Sequence, residues 1–530
     1  MCRYTTPSCF HQFKSGNAAL IKGFVLSNMF SLLDFVALLA TVLVIDALIP
    51  DKLRHIPTVG PSGRLTSIFG AIHHVFRSKE LINKGYTKYK GGIFKIREFG
   101  IGWNVMVTTP QLIDEIRRRN DVLSHDAGSE FFLQSEFTMP GMLENQWQIP
   151  IVKSHLVRDS EIEKTFPGLI EEIQHTLNEL LPPSSVSDQW LTVNGLDMSH
   201  RLLCRTNNRI FVGYPLCRNE EFMKVNIKHA TLTFTTAIWL RFVPQFLKGH
   251  LSPLYSGIER EVRKGIDILR PEIERRRRCM KIYGDQWMDK PFDFLQWLMD
   301  ARPNLGDDDA SMRELTCRII LMNFASVQAT SSHFTKVLYK IIEHPEYLEE
   351  LRQEVESVVS TDGWTRAAAS KMYKLDSFLR ETQRLSNAGA VSILRIATED
   401  FTLHDGTFIP KNTVVSAASE PIHHDQEIYE DPHTFRPWRF LEETESGELK
   451  TRRAAHTTNL DYLVFGHGRH ACTGRFFAMA TLKCLIAYII MYYDVKFSED
   501  TTSVPENWIM GINLPNPSVQ VRFKQRDKAL

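Results

Sequence analysis

The sequence predicts a mainly α protein with a minor α+β component: one large helical domain with small β-sheets, preceded by an N-terminal membrane anchor. Helix-period segments outnumber strand-like ones along the whole chain. One run, from Asp307–Asp309 to Pro345, continues for about 33 residues without glycine or proline. Near the N-terminus, 22 residues from Phe24 to Ile45 carry Asp34 as their only charge.

The 530 residues are 43% hydrophobic and 24% charged, an ordinary globular composition. After residue 65 no Ser/Gly/Pro-rich linker, charge block, repeat or low-complexity tract divides them, so a single body spanning 65–530 is expected. Lys and Arg total 63 against 62 Asp and Glu, which offers no field for gathering nucleic acid. Eight dispersed cysteines without a C-x-x-C pair imply a reducing compartment and free thiols. For all of them but Cys472 the expected role is structural.

Residues 1–23 form a tail. The span 24–45 would be about 33 Å long as a helix, one bilayer core. No A-x-A-like cleavage site follows it cleanly, which favours an anchor over a secretory signal. Arg3, Lys14 and Lys22 before the span balance Lys52, Arg54 and Arg64 after it, so charge sets no orientation. The stretch 46–64 contains "IPTVGPSG" (Ile56 to Gly63) and reads as a Pro/Gly hinge.

Leu65 to about Asp300 reads as mostly helical, with a strand pair between Gly91 and Pro110. Within it, "EIERRRRCMK" (Glu272 to Lys281) reads as the solvated face of a helix. "HATLTFTTAIWLRFVPQFL", His229 to Leu247, is apolar and aromatic-rich. The long helix begins where three aspartates favour a helix N-terminus. Its middle, Asn323 to Ser332, is small and polar for a segment buried at both ends, which leaves room for a ligand or for close helix contact. Beyond it come a helix in "LDSFLRETQRLSN", a hairpin signal around Asp405-Gly406, an irregular "DPHTFRPWRF" and a final helix from Gly474 to about Tyr492.

Just before that last helix stands "FGHGRHACTG", Phe465 to Gly474. Gly466, Gly468 and Gly474 permit tight turns, and a helix N-terminus can point N–H groups at the Cys472 sulfur. Phe465 supplies a flat apolar surface. The arrangement suits a bulky planar cofactor held by one thiolate. Zinc on His467, His470 and Cys472 competes as a reading, but three such closely spaced ligands make a poor tetrahedral site.

The pattern Phe465-x-x-Gly468-x-His470-x-Cys472-x-Gly474 resembles the heme-binding loop of the cytochrome P-450 (heme-thiolate monooxygenase) family, in the form common to membrane-anchored fungal members. His470 stands where Arg is usual, and Thr473 where Pro is frequent. The resemblance implies heme (iron-protoporphyrin IX) as cofactor, with Cys472 as the axial ligand of its iron and His470 serving a propionate. It extends to Glu381-x-x-Arg384 and Pro437-Trp438-Arg439-Phe440, where Glu381, Arg384 and Arg439 would form a buried network behind the heme. It also places Arg395 at a propionate. By itself Glu-x-x-Arg means little, since Glu272/Arg275, Glu274/Arg277 and Glu349/Arg352 repeat it.

In the same family the long helix carries an acid and a first Thr that help deliver protons to dioxygen. Here Phe324-Ala325-Ser326-Val327-Gln328-Ala329-Thr330-Ser331 has Gln328 for the acid and Ala329 for that Thr. Thr330 keeps the second Thr and, with ordered water or a substrate hydroxyl, is the candidate to fill the role; a simple bond to the helix carbonyl four residues back is the alternative. The resemblance further implies a separate NADPH–cytochrome reductase, O2 and a lipophilic small-molecule substrate, a terpenoid by similarity to fungal secondary metabolism. It places the chain on the endoplasmic reticulum membrane by a single-pass anchor, with its catalytic domain in the cytosol. Two other readings stay open: a reductase-independent heme-thiolate isomerase or dehydratase, and a heme or lipid binder without turnover.

Overall fold

The computed structural model describes residues 52–526 apart from 64–65, 144, 183–188, 307 and 499–500. The tail and the expected anchor lie outside the described residues.

Two cores organise the domain. The smaller one backs a six-stranded sheet. Its strands are β1 (Thr58–Val59), β2 (Ile93–Glu98), β3 (Gly102–Val107), β4 (Leu123–Ser124), β6 (Ser392–Ala397) and β9 (Val414–Ala417), in the order β1-β2-β3-β9-β6-β4. β2 and β3 form the antiparallel pair expected between Gly91 and Pro110, with Ile93 opposite Val107. β1 runs parallel to β2, Thr58 opposite Lys95, and Leu53, Ile56 and Val59 are buried in this core. The stretch expected to be a hinge is therefore already part of the folded body from about Leu53 onward. Its apolar side chains find a sheet edge to cover, which a composition reading of its prolines and glycines does not reveal.

The second core is helical. It includes α6 (Ser252–Tyr283), α7 (Asp309–Glu343), α8 (Tyr373–Leu385) and α9 (Arg475–Tyr492). α4 (Gly195–Phe211) packs along α7, and α5 (Glu220–Leu240) lies against α6 and α7. Two helices near the sheet complete the frame of the site: α2 (Pro110–Arg118) and α3 (His125–Leu133). α1 (Ser67–Lys88) covers β2. α7 starts at Asp308, whose carboxylate accepts from the Ser311 amide at 2.7 Å, and runs unbroken for 35 residues. Among the described residues α9 is the one helix long and apolar enough to cross a bilayer, and its side chains are buried in the core.

Small pairs finish the fold, β10 (Leu441–Glu443) antiparallel to β11 (Leu449–Thr451) among them. β5 (Leu191–Asn194) joins β12 (Tyr493–Phe497) and β15 (Gln520–Gln525) in the order β12-β15-β5, and β13 (Asn507–Ile509) pairs with β14 (Ile512–Leu514). The hairpin signal at Asp405-Gly406 marks the turn between β7 (Phe401–Thr402) and β8 (Phe408–Ile409), nested between the longer antiparallel partners β6 and β9. The basic run on α6 departs from expectation. Arg276 is buried rather than solvated, its guanidinium held by Glu272 at 2.6 Å and by Asp293 at 2.7 Å, because α6 is covered on that side by the segment following it.

Candidate heme-binding site

The Cys472 loop folds back on itself. The Cys472 amide donates to the Phe465 carbonyl at 2.8 Å, and Ala471 donates to Gly468 at 3.1 Å. Gly466 (φ +68°) and Gly468 (φ +84°) take the left-handed conformations this turn requires. A side chain on Gly468 would also meet Arg117 of α2 at 3.1 Å. Gly474 departs from the sequence reading. Its φ is −78°, open to any residue, and nothing crowds its Cα, so no special freedom is used there.

The amides of Gly474 and Arg475, at the start of α9, lie near enough to the Cys472 sulfur to favour its thiolate. Burial nevertheless pushes the thiol up, against those two amides and the Arg475 charge that favour the thiolate. The residue is open on one face while protein atoms crowd its other sides, and among the described cysteines it alone is exposed. Cys204, Cys217, Cys317 and Cys484 are buried, as structural thiols should be. Phe465 is half-buried against the helical core.

Beside the loop is an unpaired cation. Arg395 is 2% exposed, so it is not a solvent-facing strand arginine. Its guanidinium reaches His125 Nδ1 at 3.2 Å and its neighbour's carbonyl, Leu394 O, at 2.9 Å, and its Nε–H has no partner among the described residues. Burial without a carboxylate contact lowers its pKa to about 10. The strand itself is distorted to aim it: Ile393, a β-branched residue, sits at φ +53°, and the β6–β9 register shifts between Ser392 and Arg395. His470 lies on the same corner, its ring 4.6 Å from that of His125 and its Nε2 3.0 Å from Asn120 Oδ1. Burial, then Arg395 and His470, bring His125 down to about 4. His125 is a functional candidate the sequence reading missed, since a lone histidine opening a helix carries no pattern.

Behind this corner, Glu381 on α8 is grasped by both flanking arginines. Arg384 donates from Nε and a terminal nitrogen at 2.8 Å each, and Arg439 donates from Nε to the two oxygens at 3.0 and 3.1 Å. Ser377 ties the Pro437–Phe440 segment to α8 by accepting from the Phe440 amide at 3.2 Å and donating to Pro437 O at 2.6 Å.

On α7 the small polar stretch divides into two sides. One is consumed by α4: Asn323 and Asn208 exchange amide bonds at 3.0 Å, Ser326 accepts from Asn207 at 3.3 Å, and Ser331 donates to Ser199 O at 3.3 Å. Gln328, half-buried, lies beside His200 of α4. Ala325 and Ala329, one turn apart, stay exposed in the middle of a helix that is buried on either side of them. The opening beside α7 is thus apolar. Thr330 is buried, one turn from Ser326 and on its side of the helix; its hydroxyl makes no hydrogen bond among the described residues, so it is not tied to the carbonyl four residues back.

The zinc reading fails. Among the described residues no three His, Cys, Asp or Glu side chains converge as metal ligands, and His467 is engaged by Thr458 Oγ1 at 3.0 Å. A planar group carrying carboxylates does fit. Cys472 offers a thiol with one open face and Arg395 offers a buried cation lacking an anion, with neutral imidazoles of His125 and His470 beside it. A site of this composition suits a heme seated beside a cysteine loop.

Comparison with known proteins gives the family. The cytochrome P450 family model matches residues 63–523. Cytochrome P450 monooxygenase 151 of Postia placenta is 35% identical over 478 residues, 90% of this chain and 95% of the relative. Cytochrome P450 monooxygenase CYP512U6 of Ganoderma lucidum is 33% identical over 90% of this chain and 92% of its own length. The crystal structure of the cytochrome P450DA heme domain shares the fold with a TM-score of 0.66 at 15% identity, covering 89% of this chain and 97% of that one. The chain belongs to the cytochrome P450 family; it is an oxygen-incorporating oxidoreductase whose cofactor is heme.

Proposed function

We propose that this chain hydroxylates, or oxidises in several steps, a lipophilic specialised metabolite of terpenoid type at a membrane, with electrons from an NADPH–cytochrome reductase. The observation that carries this reading is the apolar character of both the opening and the surface. Ala325 and Ala329 present methyl groups where α7 is open. Outside, Phe69 and Phe76 on α1 are 70% and 73% exposed, and Trp239 and Phe246 are 68% and 76% exposed. Phe99, at the turn between β2 and β3, packs its ring, tilted, against Phe242 at 5.0 Å and links the two groups. Apolar surface on this scale matches a bilayer interface and a substrate taken from it. The exposed part of the His229–Leu247 segment is its C-terminal end; His229 itself is buried.

In this reading Cys472 would hold the heme iron through its sulfur, Phe465 and the loop backbone would border the ring, and Arg395, with His125 and His470, would hold a propionate. The Glu381–Arg384–Arg439 cluster keeps α8 and the Pro437–Phe440 segment rigid behind it. The heme-thiolate group supplies reductive activation of O2 and transfer of one oxygen atom. Gln328 and Ala329 provide neither acid nor hydroxyl, so Thr330, whose hydroxyl is free of helix bonds, is the protein group that would hold water for proton delivery. Incubation with reductase-bearing membranes, NADPH and candidate terpenoids should yield products heavier by one oxygen atom. The Cys472→Ser variant should lose both this product and the red-shifted, thiolate-type Soret band of the reduced carbon monoxide complex.

A second reading is favoured by the same two residues. An enzyme that rearranges or dehydrates an already oxygenated substrate needs no proton relay to dioxygen, and Gln328 with Ala329 would not handicap it. Product formation without NADPH or reductase would select it.

A further inference from the structure

Lys336 lies on α7 seven residues beyond Ala329, about 10 Å along the helix axis. It is buried, and its ammonium donates to Ser386 O at 3.1 Å and to Asn513 O at 2.9 Å. Ser386 opens the loop that leads from α8 into β6 and Arg395; Asn513 belongs to β14. These two segments also bind each other, Asn513 N to Ala388 O at 2.9 Å and Ala390 N to Gly511 O at 2.8 Å. From the far side α1 grips the β13–β14 turn through Met510 N to Val75 O at 3.0 Å and Gly511 N to Ser78 Oγ at 2.8 Å.

No carboxylate is in ion-pair contact with Lys336 among the described residues. Glu506 acts on it only at a distance, and burial brings its pKa down to about 7. A buried amine with carbonyl partners alone is a poor choice for core stability, where Met or Leu would fill the space without desolvating a charge. What the ammonium adds is direction: one side chain on α7 reaches two segments distant in sequence.

We propose that Lys336 is a positioning residue for the ligand pocket, its two hydrogen bonds fixing the Ser386–Val391 loop and the β13–β14 hairpin relative to the open Ala325–Ala329 side of α7. The pocket's size for bulky ligands then depends on this side chain. The inference rests on the reading that the Ala325–Ala329 opening receives the ligand.

The test uses the full-length heme-loaded protein and the variants K336M, which removes both bonds, and K336R, which keeps a cationic donor. Hydrogen exchange is followed in segments 386–391 and 509–514. Ligand affinity is read from Soret shifts with ketoconazole, a bulky azole, and with imidazole, which is too small to touch the pocket walls. K336M should raise exchange in both segments about tenfold, the loss of one charge-assisted hydrogen bond. It should weaken ketoconazole by a similar factor and leave imidazole unchanged, and K336R should restore wild-type values. Exchange that is unchanged in both segments, or raised equally across the chain, overturns the proposal, as does equal weakening of both azoles. Should K336M not take up heme, K336Q replaces it in the same comparison with K336R. Neither readout uses reductase, O2 or substrate, so failure to oxidise a terpenoid leaves the result standing.

Discussion

Arg439 lies across the carboxylate of Glu381, its Nε 3.0 Å from one oxygen and 3.1 Å from the other, although 58 residues separate them in the chain. Glu381 and Arg384 are both fully buried, and Arg384 takes the same carboxylate from the other side. Such a cluster is valuable for the geometry it imposes and fragile to the loss of one member. Glu381→Ala leaves Arg384 buried without an anion and should destabilise the fold by about 3–5 kcal/mol, measured by urea unfolding. Heme content of the purified variant should fall in parallel.

Arg395 should matter to cofactor retention more than to folding, because its Nε–H has no protein partner to lose. Arg395→Gln is expected to give a folded protein by circular dichroism with a faster rate of heme transfer to apomyoglobin. Wild-type retention in that assay would remove Arg395 from the propionate corner.

The proton-delivery side of α7 can be rebuilt. Ala329→Thr, alone or with Gln328→Glu, places a hydroxyl at the open position and should lower peroxide released per NADPH consumed. Thr330→Ala should raise it; unchanged coupling in Thr330→Ala would take Thr330 out of the mechanism.

Two buried histidines make the fold acid-sensitive. Burial lowers His229 and His333 to about 4. A base whose folded pKa lies below its unfolded value of about 6.5 stabilises the neutral protein, with its full contribution above pH 6.5. That contribution is lost as pH falls through 4, at about 1.4 kcal/mol per pH unit for each group within the window. Unfolding free energies at pH 7, 5.5 and 4.5 should therefore decline steeply, and His333→Gln should flatten the slope.

The exposed apolar surface predicts membrane contact by the folded body itself. A protein lacking the first 45 residues should still bind phosphatidylcholine vesicles in flotation, and replacing Phe69, Phe76, Trp239 and Phe246 by Ser should abolish it. Equal flotation of both forms would count against this face.

The family was legible in the sequence because its chemistry is written locally. Cys472 with Gly466 and Gly468 is a close-range pattern, and Glu381 with Arg384, repeated elsewhere in the chain, takes its meaning from its place between α7 and Pro437–Arg439. The uninterrupted α7 was equally plain, since absence of glycine and proline is a one-dimensional property. What Gln328, Gly474 and Arg276 do was not, because each depends on which neighbour the fold supplies. Gln328 meets His200, Gly474 meets nothing, and Arg276 meets Asp293.

By itself, then, the sequence determined the class of chemistry and the glycine–cysteine loop proposed to hold the heme, through residue types whose spacing is short enough to be fixed by local backbone geometry. Only the tertiary structure decided which face of α7 stays open, that Arg395 and His125 share a buried corner with His470, and that Lys336 bridges three elements. Those relations join residues from 50 to more than 340 positions apart, and a contact over such separations is set by packing against the two cores, to which neither local propensity nor periodicity has access.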